Sequence, residues 1–332
     1  GATGGKAYCR LDQAFTAVSA SKDIILLRAS ANDYQNDGNS LVINKSVRIV
    51  GERKTRTDAA PQFTDPIEVK PGGGAGEVQL AVEDLNLTVK NAGNTVGIFC
   101  SRQSTDRTAG VTLRWSRIEN VPLSALRSEG CNSVTILSSV IQKNAQVLVS
   151  GYAGVFILGG EVKIANSIIA LNGNVNAAKG GGLYLASHPI LSLIKADLAF
   201  VTLTGNVCNP AGMMTGDSGK ACDLYSELAM GMPFATMSYS ILAGASKDIV
   251  TGVIINNSLV PAGYNGGTGN IPQTATLPTF VNLASDFHLA NSAENNPLRL
   301  QNASPSEVTD IDGDPRPTSD SKVDVGADQR VP

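Results

Sequence analysis

The chain has 332 residues and a net charge of −3, and only 17% of it is charged, well under the roughly 25% of an ordinary soluble domain. That balance leaves no basic footprint for a nucleic acid partner, and no apolar run approaches the ~20 residues that span a bilayer. The length suits either two domains or one elongated all-β solenoid.

The chain opens GATGGKAYC, with no Met and no apolar leader; this fits a mature exported protein, and a trimmed one would read the same. In CRLDQAFTAVSAS the apolar residues Leu11, Ala14, Phe15 and Val18 recur at i, i+3, i+4 and i+7, one face of a short helix. DIILLRA (23–29) and SLVINKSVRIVGE (40–52) follow as the first strands, so 1–52 reads as an N-terminal cap and first rung.

Residues 53–260 read as the central rungs. VTLRWSRI from Val111, VTILSSVI from Val134 and VKIANSII from Val162 superpose without gaps. Each carries a serine five residues on, Ser116, Ser139 and Ser167. Spacings of this size, with alternating apolar and polar residues and no two-residue hairpin turns, describe parallel strands coiled into a solenoid. The expected ladders are Val111/Val134/Val162, Leu113/Ile136/Ile164 and Ile118/Ile141/Ile169. LAVEDLNL from Leu80 extends them backward and ATMSYSIL from Ala235 restores them. ADLAFVTL from Ala196 fits less well, with Val201 in the serine position. Asparagines follow the strands at Asn91, Asn120, Asn144, Asn172 and Asn206; Asn tolerates the left-handed backbone of a sharp corner, and stacked amides hydrogen-bond between rungs. The fold class expected is all-β, a single-stranded right-handed parallel β-helix with a short capping helix and an irregular C-terminal cap at 261–332.

There are five cysteines and no CxxC pair or Cys/His cluster, which argues against structural zinc. Cys208 and Cys222 bracket a Gly/Met/Asp-rich stretch in the long loop at 206–222, read either as a disulfide-stapled loop or as buried thiols. Cys100 and Cys131 are placed to pair across adjacent rungs, leaving Cys9. The run GGGLYL at 180–185 lacks the Lys-Ser/Thr of a phosphate loop and reads as a solenoid corner feeding a strand. CDLYS (222–226) is the same element one rung later.

The N-terminal run, helix then strands, resembles the opening of pectate-lyase-like right-handed parallel β-helix proteins. Asp286 to Leu289, Ser304–Pro305, Asp310 to Arg316 and Val323 to Ala327 resemble the ending of bacterial exported β-helix proteins of the choice-of-anchor Q type. The resemblance implies export, to the medium or the cell surface, while its scaffold hosts lyases, hydrolases, adhesins and structural proteins alike.

For an enzyme, groups on neighbouring rungs must converge on one outward face. Arg114, Arg117 and Lys163 are outward cations without an acidic cluster on the same rungs, and no catalytic residue is assigned. Trp115, the single tryptophan, serves as a sugar-stacking surface if exposed and as core if buried; with Arg114 and Arg117 it would suit an anionic glycan. Asp310, Asp312 and Asp314 alternate around a glycine as at the start of a calcium loop, although a turn in the cap explains them too. Calcium is therefore the one cation suggested, and no cofactor is required. The expected function is non-catalytic binding or adhesion to polysaccharide or cell-surface components. The alternative is a polysaccharide lyase acting on an anionic polymer.

Overall fold

The computed structural model describes residues 10–19, 23–28, 33–53, 59–72, 76–89, 95–102, 107–145, 153–174, 181–188, 194–208, 223–227, 235–243, 249–274, 278–282, 286–300, 309–316 and 323–328. Short strands coil into two parallel sheets, a long one of 16 strands and a short one of 8. This is the parallel β-helix expected. One rung shows the plan. Leu126–Glu129 lies in the short sheet and Ser133–Leu137 forms the first leg of the long sheet. After a bend, Val140–Gln142 forms the second leg. In the next rungs Gly160–Ala170 and Ile194–Thr204 run through the bend unbroken, which joins both legs into one sheet.

The register places the apolar ladders as the repeats predict. Val111, Val134, Val162 and Ala196 stack, as do Leu113, Ile136, Ile164 and Leu198, and Ile118, Ile141, Ile169 and Leu203. All are buried in one continuous core, and each large aliphatic side chain contributes about 1.5–3 kcal/mol on leaving water. The helix Leu11–Thr16 caps this core with Leu11 and Phe15, joined by Val18 just beyond it. Lys45 donates to the Val18 carbonyl at 2.7 Å.

From Asp84 onward the bend recurs at one position of the rung. Asp84, Trp115, Ser138, Asn166, Phe200, Tyr239 and Asn257 all have φ between 46° and 54°, a left-handed conformation that costs a bulky residue about 1–2 kcal/mol. The serine that follows holds it. Ser139 Oγ accepts the Ser116 N–H and Ser167 Oγ accepts the Ser139 N–H, both at 3.2 Å. Each hydroxyl in turn donates to the carbonyl two residues back, Leu137 at 2.8 Å and Ala165 at 2.7 Å. Ser240 and Ser258 continue the column beyond Val201, which interrupts it.

The asparagine column stacks through its side-chain amides as expected, while the left-handed backbone also expected of it lies elsewhere. Asn144, Asn172 and Asn206 do not have positive φ; their neighbours Lys143, Ala145, Leu171, Gly173 and Gly205 do, and of the four proposed asparagines that are described only Asn120 does. The amides are there for the ladder. Asn144 Nδ2 donates to Asn172 Oδ1 and Asn172 Nδ2 to Asn206 Oδ1, both at 3.0 Å, and Asn206 Nδ2 to Asp223 Oδ1 at 2.6 Å. Each acceptor oxygen also takes a backbone N–H. Gly182 in the GGGLYL corner sits against this column. A Cβ there would lie 2.6 Å from the Asp223 carbonyl and 2.7 Å from Asn206 Nδ2, so close approach selects glycine. Asn91 and Gly180 lie outside the described residues.

Cys100 and Cys131 form the inter-rung disulfide, with Cα atoms 6.2 Å apart. Cys208 is also disulfide-bonded; Cys222 and Cys9 lie outside the described residues.

The C-terminal segment covers the side of the coil. Phe280, Phe287, Leu289, Leu298, Val325 and Ala327 pack on Ile168, Ile241 and Leu259 of the second leg. Arg316, fully buried, donates to the carbonyls of Asp324, Gly326 and Ala327 and to Asn166 Oδ1, and lies 4.1 Å over the Phe200 ring. Gly326, at φ +94°, donates to the Tyr239 carbonyl. The residues that carry the family resemblance thus glue this layer to the bend.

Candidate functional site

Three places gather polar or aromatic chemistry outside the core. The first is the bend around Trp115, where the sequence placed Arg114, Trp115, Arg117 and Lys163. Trp115 is half-buried on the outer edge, and the Arg114 guanidinium lies 5.2 Å over its ring. Arg117 pairs with Glu119 at 3.6 Å. Arg114 is in register with Glu83, which accepts two hydrogen bonds from Arg48 at 3.0 and 2.5 Å. Lys163 is exposed but stands apart. It aligns with Thr135 and Thr112, two rungs from Arg114's own rung and two residues back along the strand, about 12 Å away between backbones at the ladder and strand spacings. Farther along, the outer side of the long sheet is covered, since Ala165, Asn166, Ala199 and Phe200 are buried.

The second is a column on the outer face of the short sheet, which the repeats of the long sheet did not reveal. The strands Ile98–Ser101, Leu126–Glu129, Val155–Leu158, Leu183–Ala186 and Leu224–Glu227 stack in register. Their second residues, Phe99, Arg127, Phe156, Tyr184 and Tyr225, face outward in one line. Phe156 stacks on Tyr184 at 4.6 Å and Tyr184 on Tyr225 at 5.4 Å, with ring planes nearly parallel, and Arg127 lies 5.1 Å over Phe156. Arg127 Nε donates to Glu129 Oε1 at 2.7 Å. Tyr184 and Tyr225 donate their hydroxyls to the two oxygens of Glu227, at 2.6 and 2.7 Å. Burial first, and then the Glu227 hydrogen bonds, push both phenols well above their ordinary value. They are proton-holding donors and poor bases. The signal was available: IFCS, LRSE, VFIL, LYLA and LYSE share a large residue in second place, and the alignment of Tyr184 with Tyr225 was its visible part.

The third lies on the C-terminal layer. Of the expected calcium ligands, Asp310 is fully buried and its Oδ1 accepts the N–H groups of Asp312 and Asp314, at 3.0 and 2.9 Å. That closes the turn and does not aim the three carboxylates at one point. Asp312 instead meets His288, whose Nε2 lies 2.6 Å from Asp312 Oδ2, while Nδ1 bonds Asp286 Oδ1. The Asp312 bond, with Asp286 behind it, pushes His288 up to about 10. Asp328 is pushed up to about 6, by burial first. Among the described residues, one group of His, Cys, Asp and Glu offers ligand atoms within 4.8 Å of one another: His288, Asp312 and Asp328.

Among the described residues no helix is long and apolar enough to cross a membrane. No protein-family model matches the chain, and no curated protein matches it closely enough to count as a relative.

Proposed function

We propose that this is an exported, non-catalytic β-helix protein, of the kind its C-terminal motif resembles, that binds a glycan or another surface polymer along the outer face of the short sheet. The observation that carries the reading is the Phe99–Arg127–Phe156 line, which is half-buried and continuous with the stacked Tyr184 and Tyr225. The half-buried rim of Phe99, Arg127 and Phe156 offers apolar ring edges to a sugar chain, and the Arg127–Glu129 pair offers it a charged, hydrogen-bonding border. The Arg114–Trp115–Arg117 edge is a second surface of the same chemistry. The buried disulfide supports an oxidising compartment.

A polysaccharide lyase is the second reading, favoured by Tyr184 and Tyr225 converging on Glu227. It is weaker because both phenols hold their protons and Arg127, the cation of that face, is paired with Glu129. A glycan array, run beside an ultraviolet assay for unsaturated products on polyuronates, separates the two. Retention of an anionic glycan by the intact protein, lost in R127A/F156A and without new absorbance, is expected. Product formation would replace binding by catalysis, and no retained glycan would remove the proposal.

A further inference from the structure

We propose that His288, Asp312 and Asp328 form a binding site for a divalent first-row transition metal, with zinc the best fit. The three come from separate parts of the C-terminal layer. His288 lies on the strand Asp286–Leu289, Asp312 on the turn at 310–314, and Asp328 after the strand Val323–Asp324. Packing, not sequence proximity, brings them together.

The geometry is near what a metal needs. Zinc bound at ~2.0–2.2 Å by one nitrogen and two carboxylate oxygens sets its ligands about 3–3.5 Å apart. Here the ligand atoms already lie within 4.8 Å of one another, and the closest pair, His288 Nε2 and Asp312 Oδ2, is at 2.6 Å. Closing the set requires a shift of about 1 Å at most contacts, within the reach of side-chain rotation.

A second observation points to a ligand. Asp328 is buried, at 6% exposure, and Oδ2 receives one long hydrogen bond, 3.3 Å, from the Leu289 N–H. Among the described residues its other oxygen has no hydrogen-bond partner. A buried carboxylate with one weak donor is costly unless paired or metal-bound. The arginines of this layer serve elsewhere, Arg316 on Asp324, Gly326, Ala327 and Asn166 and Arg299 toward Asp324 at 3.6 Å, so the charge facing Asp328 is His288 itself, whose Nε2 proton a bound metal would replace.

Asp286 completes the arrangement. Its bond to His288 Nδ1 orients the ring so that Nε2 points at Asp312, the carboxylate–histidine–metal relay by which ligating histidines are commonly fixed. Nitrogen in the set favours zinc, cobalt or nickel over calcium, which takes oxygen ligands. The site is distinct from an Asp310/Asp312/Asp314 loop, because it shares only Asp312 with it.

The test uses the intact, chelator-treated protein titrated with Zn²⁺ by calorimetry and with Co²⁺ by visible absorption. One equivalent of each is expected to bind. Affinity should fall at least tenfold in D312N, whose side chain is half-exposed and whose fold is checked by circular dichroism. H288Q should behave alike, D286N should lose about tenfold, and H188Q, which removes the other histidine, should bind as the parent does. No zinc or cobalt binding up to millimolar metal, binding unchanged in D312N and H288Q, or calcium bound more tightly than zinc would each overturn the assignment.

Discussion

Replacing Asp223 with asparagine should stabilise the protein at neutral pH. Asp223 ends the amide column, where its Oδ1 accepts both the backbone N–H and the side-chain Nδ2 of Asn206, at 3.1 and 2.6 Å. It is fully buried, and burial raises its pKa from 3.8 to about 6, against the lowering effect of the Asn206 bonds. The sign follows from linkage. Below about pH 4 the carboxyl is protonated in both the folded and unfolded chains and imposes no penalty. Between about pH 4 and 6 the unfolded chain releases this proton first, so this group's contribution to stability falls as pH rises, then levels off. A raised folded-state pKa of this size corresponds to about 3 kcal/mol at pH 7. Asparagine keeps the accepting oxygen and removes the charge. Scanning calorimetry of D223N against the parent should give a gain of about 2–3 kcal/mol at pH 7, and a difference that shrinks towards zero near pH 4. Equal differences at both pH values, or a D223N protein less stable at pH 7, would refute the reasoning.

Other outcomes follow from the same ladders. V201S places a hydroxyl in the interrupted serine column, where Val201 is in register with Ser167; by denaturant unfolding it should be less destabilised than V201A, by about 1 kcal/mol, reversing the usual order for a buried site. Removing the disulfide in C100A/C131A frees a loop of 31 residues and should cost about 3.5 kcal/mol, measured by urea midpoint. R316M removes the donor to three carbonyls and Asn166; it should cost about 3–5 kcal/mol and make residues 309–328 sensitive to limited proteolysis while the central rungs stay resistant.

Much of the coil was legible because its order is one-dimensional. Val111, Val134 and Val162 repeat in sequence at the interval at which the backbone returns to the same face, so reading the repeat is reading the register. The serine after each bend was visible as a motif although its hydrogen-bond role was not. The inter-rung amide ladder of the asparagines was legible, but the left-handed corner also expected of them was misplaced, since that handedness resides in neighbours such as Lys143, Ala145 and Leu171 that no propensity would nominate. The aromatic line from Phe99 to Tyr225 went unread as a whole because its strands are only four residues long and lie between loops of unequal length.

What the sequence by itself determined is therefore the coil: strand period, rung spacing, inward ladders and a capping helix, with Cys100 and Cys131 on adjacent rungs as one candidate pair. What tertiary structure alone decided is everything that joins residues far apart in the chain. Asn166 meets Thr309 and Arg316 across 143 and 150 residues, and His288 meets Asp312 and Asp328 from three separate segments. A repeat encodes its neighbours through a fixed interval. A layer folded back along the outside has no such interval, and its position is set only by the apolar surface it covers and the polar groups it satisfies.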